Sequence, residues 1–420
     1  MRIASAIFAA VLLAGCVTIP SIAQPEPEAA SAVATWRSVD AETGQIRDIE
    51  GLEQLARDFP NSGNVRLRLL QPYLAAGEAE KVLETLEWLY DRGYVFGEVP
   101  QRQIPKLLEG VDPGRIAERL IAEAEVIERS KVFAETPSEV GLGESVIRDP
   151  KDDRLIVTSV SENAIFGRRA GQDWDGYSPQ GAANISGIVL DQQRHIVWLA
   201  SGHIDGSESA DGFTGLIGLD HRNSSEIRIP APEGVNISDL TIAPDGTVFG
   251  SDPLGGGIYA ARHDSAEMVT IISPGTMRSP QGLALSSDGL RLYVSDYRYG
   301  IAAIERDSGR VLRLASDIPI ILDGIDGLWR FGDELVAVQN GTSPMRIAAF
   351  RLSADGMRVV GHRVLEQAHT QWTEPLSGSV DGDSLLYIGN GQWDRFVQGE
   401  PAQDKAALPT QIRRLPLHRD

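Results

Sequence analysis

The sequence predicts a mainly β fold, a six-bladed β-propeller preceded by a small α-helical segment. Three observations predict it. Six related strand-rich units follow one another after residue 130, with heads 42 to 53 residues apart, the spacing of propeller blades. Glycine is plentiful, at 43 of 420 residues, and Asp-Gly pairs recur between short apolar runs, the signature of tight hairpins. Helical periodicity is confined to the stretch before residue 130. Hydrophobic residues make up 42% of the chain, enough for a substantial core.

The elements follow in chain order. Residues 1–15 read as a signal peptide: Arg2 is a short positive start, and Ile3 to Ala14 is an apolar run too short to span a bilayer as a stable helix. Leu13-Ala14-Gly15-Cys16 then resembles the lipobox of bacterial lipoproteins. That resemblance implies cleavage before Cys16 and lipidation of its thiol, which would anchor the chain in a membrane. Val17 in place of Asp favours, by the same analogy, the outer membrane and a site of action facing the periplasm. Cys16 is the only cysteine, so no intramolecular disulfide can form.

Residues 16–38, rich in Pro, Ala and Glu, read as a flexible tether. Residues 39–129 read as helical. Ile46, Ile49, Leu52 and Leu55 recur at helical spacing, and NVRLRLLQPYLAAGEAEKVLETLEWLY reads as two helices broken at Ala76-Gly77. This resembles one tetratricopeptide-type hairpin, with Gly77 at the turn. A further helix is expected over PGRIAERLIAEAEVIERS, after Asp112. Such a segment serves as a spacer or packing cap, or as a surface for an envelope protein partner.

Residues 130–420 carry the propeller. Each unit has a first strand, a turn, a second strand such as VFGSD or LYVSD, and usually a third and fourth. SKVFAE, just after residue 129, is placed to form the outer strand of the last blade beside TQIRRLPL near the C-terminus, which would close the ring.

First strands of propeller blades line the central channel and run the same way, so their heads meet in one ring at one mouth. Here the heads are Glu144, Ser186, Asp239, Gln281, Asp326 and Ser377. Three carboxylates aimed at one point repel one another, so either one is protonated or a cation neutralises them. Oxygen donors from Glu, Asp and Gln suit a hard ion such as Ca²⁺, with Mg²⁺, Mn²⁺ or Zn²⁺ less favoured.

At this point the chain resembles the senescence marker protein/gluconolactonase family, over roughly residues 140–396. The resemblance rests on Glu144 in GESVIRDP, Ser238-Asp239 in ISDLTIAPDG, Gln281 in SPQGLALSSDG and Asp326 in IDGLW. It implies a divalent cation held by Glu144, Gln281 and Asp326. It also implies a base at Asp326 or Asp239, a substrate side near Ser238 and Asp239, and hydrolysis of lactones or small esters. Ser186 and Ser377 complete the ring as small polar lining next to substrate. The departures are Gln281 where the family has Asn, Ser238 where it has Asn, and Ser145-Val146 where it has Gly-Pro. The alternative is a non-catalytic propeller that binds a ligand or protein in the envelope.

Charge narrows the field. With 59 acidic against 39 basic residues the net charge is −20, which argues against nucleic acid as a partner. HExxH, GxSxG and P-loop patterns are missing from the sequence. Gly255-Gly256-Gly257 reads as a hairpin turn rather than a phosphate cradle, because no helix follows it.

Overall fold

A computed structural model describes residues 34–108, 119–120, 123–204, 212–220, 225–398 and 400–418. The expected signal peptide, the lipidation site and most of the tether lie outside the described residues.

Six antiparallel sheets form the blades. Their first strands are Gly143–Asp149, Asn184–Asp191, Asp239–Ile242, Pro280–Leu285, Gly327–Phe331 and Gly378–Asp381. Each first strand contacts those of both neighbouring blades, and the last contacts the first, so the ring is complete. Blades 1 to 4 each take four consecutive strands. Blade 5 gains a fifth, Ala315–Ser316, which runs parallel to Arg358–Gln367.

Blade 6 closes the ring as the sequence predicts. Lys131–Glu135 pairs antiparallel with Gln411–Pro416, so the outermost strand comes from the front of the propeller and its neighbour from the end of the chain. The Asp-Gly turns also take their expected form. Gly289 sits at φ 69 between the first two strands of blade 4, a left-handed conformation that glycine adopts without steric cost.

Among the described residues, helices α1 (Ile49–Asp58), α2 (Gly63–Ala76), α3 (Ala79–Tyr90) and α4 (Glu98–Leu107) precede the propeller. Asp48 caps α1 by accepting from Gly51 N, and Ser62 caps α2 by accepting from Val65 N. Gly77, at φ 73, ends α2 where the sequence places the break. The apolar faces of α1, α2 and α3 pack into a core shared with the propeller. Leu52, Leu55, Phe59, Leu69 and Leu86 share one core with Phe249 and Ile258 of blade 3 and Leu283, Leu292 and Tyr299 of blade 4.

A carboxylate from the propeller locks this contact. Asp323 accepts from Gly63 N at 2.9 Å, Asn64 N at 2.8 Å and Ser62 Oγ at 2.8 Å. It thereby satisfies free amides in the first turn of α2 and places negative charge at the positive end of the helix.

Two expectations differ from what is observed. Of the helix expected after Asp112, residues 119–120 are helical, but the helix does not extend to Ser130. Residues 123–130 are not helical, and Ile127 forms an antiparallel bridge with Gln367. Its amide donates to Gln367 O at 2.9 Å, so pairing with blade 5 outweighs the helical pattern. The tether also ends sooner than residue 38. Thr35 bridges Leu312, and Trp36 donates from its backbone to Val311 O and from its indole to Thr276 O, lengthening the outer edge of blade 4.

Candidate functional site at the channel mouth

The same device sets three of the six heads. In blades 1, 2 and 4 the first strand carries a bulge immediately at the head, between Gly143 and Val146, Ile185 and Ile188, and Pro280 and Leu283. The ladder is interrupted there, which frees the head residue from the regular alternation of sides. The blades then touch through the freed backbone. Gly187 N donates to Ser238 O at 2.7 Å, and Gly282 N donates to Asp326 O at 2.8 Å. A side chain at Gly187 would put its Cβ 2.5 Å from Ser238 O, so this close approach requires glycine.

Three carboxylates face one another electrostatically across the mouth. Glu144 lies deep in the protein, and its carboxyl is raised well above the ordinary range, first by burial and then by the charge of Asp326. Asp326 is raised by burial, then by Glu374 and Asp239, against the pull of the Asn340 side chain. Asp239 is pushed up to about 7 by burial alone, against the pull of the Leu240 amide, which donates to its Oδ1 at 2.8 Å. All three keep part of their surface on the channel. At neutral pH, with no cation present, this group carries protons that exposed carboxylates would have lost.

The oxygens are unequally used. Glu144 Oε2 accepts from the indole of Trp393 at 2.9 Å. Asp326 Oδ2 is buried and has no hydrogen-bond partner. Gln281 donates from Nε2 to Ser279 Oγ at 3.3 Å, which spends the amine end of the amide and leaves the carbonyl end.

The serines play a different part. Ser186 Oγ donates to Ser238 O at 2.7 Å, so this hydroxyl joins blade 2 to blade 3. Ser377 is buried, and its carbonyl accepts from Ile388 N at 3.3 Å within blade 6. Ser238 is half-buried beside Asp239, with its backbone held by Ser251 O.

Four residues outside the ring of predicted heads join the site. Glu374, in the loop before blade 6, is itself raised by burial and adds its charge to Glu144 and Asp326. Trp393 reaches Glu144 from 249 residues away. Tyr297 donates from its hydroxyl to Asn340 Oδ1 at 3.0 Å, and Asn340 donates in turn to Pro375 O at 3.2 Å. The burial of Tyr297, together with the charges of Asp326 and Glu374, raises its phenol above the ordinary value. A signal for the last pair existed: both follow second strands (LYVSD, ELVAVQ), whose ends lie beside the heads of the antiparallel first strands.

No group of three or more His, Cys, Asp or Glu in metal-holding geometry occurs among the described residues. The set expected for a cation is of another kind, two carboxylates and one amide. These residues fit a hard divalent ion on donor chemistry. The unpartnered Asp326 Oδ2, the free carbonyl end of Gln281 and the second oxygen of Glu144 are all oxygen donors in a region of mutually repelling acids.

No protein-family model matches the chain, and no curated protein matches it. Solved propellers resemble it in fold. A gluconolactonase from Xanthomonas campestris aligns at TM-score 0.47 and 15% identity, over 69% of this chain and 90% of that one. A virginiamycin B lyase from Staphylococcus aureus aligns at TM-score 0.49 and 14% identity, over 69% of this chain and 100% of that one. The PQQ-bound aldose sugar dehydrogenase of Streptomyces coelicolor aligns at TM-score 0.47 and 15% identity, over 68% and 97%. At such identities the likeness concerns architecture alone.

Proposed function

We propose that the channel mouth hydrolyses a lactone or small ester with the aid of one divalent cation, for which calcium is the best match. The observation that carries this reading is the recessed acid group of Glu144, Asp239 and Asp326, in which a buried oxygen of Asp326 has no protein partner. Burying charge in this way is costly, and functional sites are where such cost is retained.

Glu144, Gln281 and Asp326 would hold the cation. When bound, it would polarise the substrate carbonyl and stabilise negative charge on its oxygen. The remaining work falls to the chain. Asp239, with a carboxyl pushed up to about 7, is ionised in part at neutral pH and basic enough to take a proton from an attacking water. Water adds to the carbonyl carbon and its proton goes to Asp239. The ring C–O bond breaks as that proton returns to the departing alkoxide, leaving a hydroxy acid. Trp393 holds Glu144 in place through its indole N–H.

The lipobox-like Leu13-Ala14-Gly15-Cys16 extends the proposal to location, as a lipid-anchored protein of the cell envelope acting on the periplasmic side. The test of the reading uses the purified protein. Elemental analysis should find about one equivalent of divalent metal, and a lactone screen with added Ca²⁺, Mn²⁺ or Zn²⁺ should give turnover. Asp326→Asn should lower kcat/KM by about 10²–10⁴. Absence of stoichiometric metal, together with no turnover sensitive to Asp326→Asn, sinks the hydrolase reading.

A further inference from the structure

A second concentration of unspent charge lies away from the channel, in a groove of about 480 Å³ between the helices and blade 4. Four arginines line it. Arg47, just before α1, and Arg68, in α2, come from the helical side; Arg278 and Arg298, which flank the first two strands of blade 4, come from the propeller side. Among the described residues, none of the four pairs with a carboxylate, in a chain whose net charge is −20.

The two sides hold their guanidiniums differently. Arg68 donates to Ile46 O at 2.8 Å and to Tyr299 Oη at 3.2 Å, and Arg47 donates to Gly44 O at 2.7 Å. Carbonyl and hydroxyl partners fix these side chains without cancelling their charge. No hydrogen bond ties the guanidinium of Arg278 or Arg298 to the described residues, although that of Arg298 lies over the Tyr297 ring, 5.8 Å from its centroid. Their backbones, by contrast, are fixed by one buried carboxylate: Asp296 accepts from Arg278 N at 2.6 Å and from Arg298 N at 2.9 Å. The groove therefore offers donors on rigid supports, with Asn64 and Gln71 adding amides to its wall.

Guanidiniums gathered without counter-charges repel one another, and their planar fork matches phosphate and carboxylate oxygens two at a time. We propose that this groove binds a small multivalent anion bearing phosphate or carboxylate groups, clamped between α2 and blade 4. The ligand touches both layers, so it also strengthens the seating of the helices on the propeller. The anion site does not depend on the proposed hydrolysis, although Arg298 borders the channel mouth through Tyr297.

The test is titration calorimetry on the full chain with inorganic pyrophosphate and, separately, with citrate, against sodium chloride of matched ionic strength. Saturable binding of one equivalent is expected, with a rise in melting temperature that chloride does not reproduce. Pyrophosphate alone would assign a phosphate ligand, citrate alone a carboxylate ligand, and both the shared chemistry. The double variant Arg278→Gln/Arg298→Gln should bind at least about tenfold more weakly. Its melting temperature without anion should change little, because neither guanidinium makes a hydrogen bond or ion pair and only the exposed stacking of Arg298 on Tyr297 is lost. No saturable binding of either anion, or undiminished affinity in the folded double variant, overturns the proposal.

Discussion

Two groups of buried acid sit in the same propeller and behave in opposite ways. At the seam of blades 5 and 6, Glu366 is fully buried and fully used. Its Oε1 accepts from Arg129 N at 3.1 Å, Ser130 N at 2.9 Å and Ser130 Oγ at 2.7 Å, and its Oε2 accepts from Tyr387 Oη–H at 2.7 Å. Arg413 adds positive charge next to it, donating to Ser130 Oγ at 2.8 Å. At the channel mouth, Asp326 has a buried oxygen with no partner, and its neighbours are other acids with the Asn340 amide as the one opposing influence on its charge. A buried carboxylate surrounded by donors is a fastener; one surrounded by acids and left short of donors is a place kept for something else.

The largest effect should come from breaking the fastener. Glu366→Ala strands four donors at once and leaves Arg413 without its nearby acid. Denaturant unfolding should show a loss of about 5 kcal/mol, the upper end for an opened buried network. Cation binding at the mouth should be unaffected in whatever fraction folds. A loss under about 1 kcal/mol would mean that the seam does not hold the ring.

Next comes pH. Asp239 is pushed up to about 7 in the folded protein, while in the unfolded chain it titrates near 3.9. The folded state therefore binds its proton more tightly, and stability falls as pH rises. The contribution is fully present below about pH 4 and is lost as pH passes 7, up to about 4 kcal/mol for this group. Melting of chelator-treated protein across pH 4 to 8 checks the sign, and calcium added at pH 7.5 should reverse the loss with release of protons. A melting temperature that rises over that window would contradict the assignment.

The smallest effect sharpens the boundary between the two groups. Trp393→Phe keeps the ring but removes the donor to Glu144 Oε2. Stability should change by no more than about 1 kcal/mol, and cation affinity should fall about tenfold as the Glu144 carboxyl loses this restraint. Equal affinity by calorimetry would show that Trp393 only packs.

Local chemistry explains how much could be read in advance. The Asp-Gly turn at Asp288-Gly289, the helix break at Gly77 and the closing strand Lys131–Glu135 are signalled by residues adjacent in sequence or by the repeat itself. Asp239, Gln281 and Asp326 follow from the repeat because each occupies the same place in its unit. Glu374 does not, since it sits in a connecting loop with no counterpart in the period. The pairing of Trp393 with Glu144 spans most of the propeller and leaves no local trace. Within one stretch, Asp296 looks as suggestive as Gln281 yet is occupied by backbone amides, a distinction only the folded chain reveals.

The closure of blade 6 has a consequence for the birth of the protein. Lys131–Glu135 emerges from the ribosome well before its partner Gln411–Pro416. At ordinary rates of translation the edge waits roughly 15–55 s for roughly 280 further residues. Throughout that interval blade 6 is unfinished and the ring is open. Lys131 and Glu135 put a charge at each end of the waiting strand, a common guard against pairing with another chain. The propeller is thus a structure that stays incomplete until Gln411–Pro416 has been made.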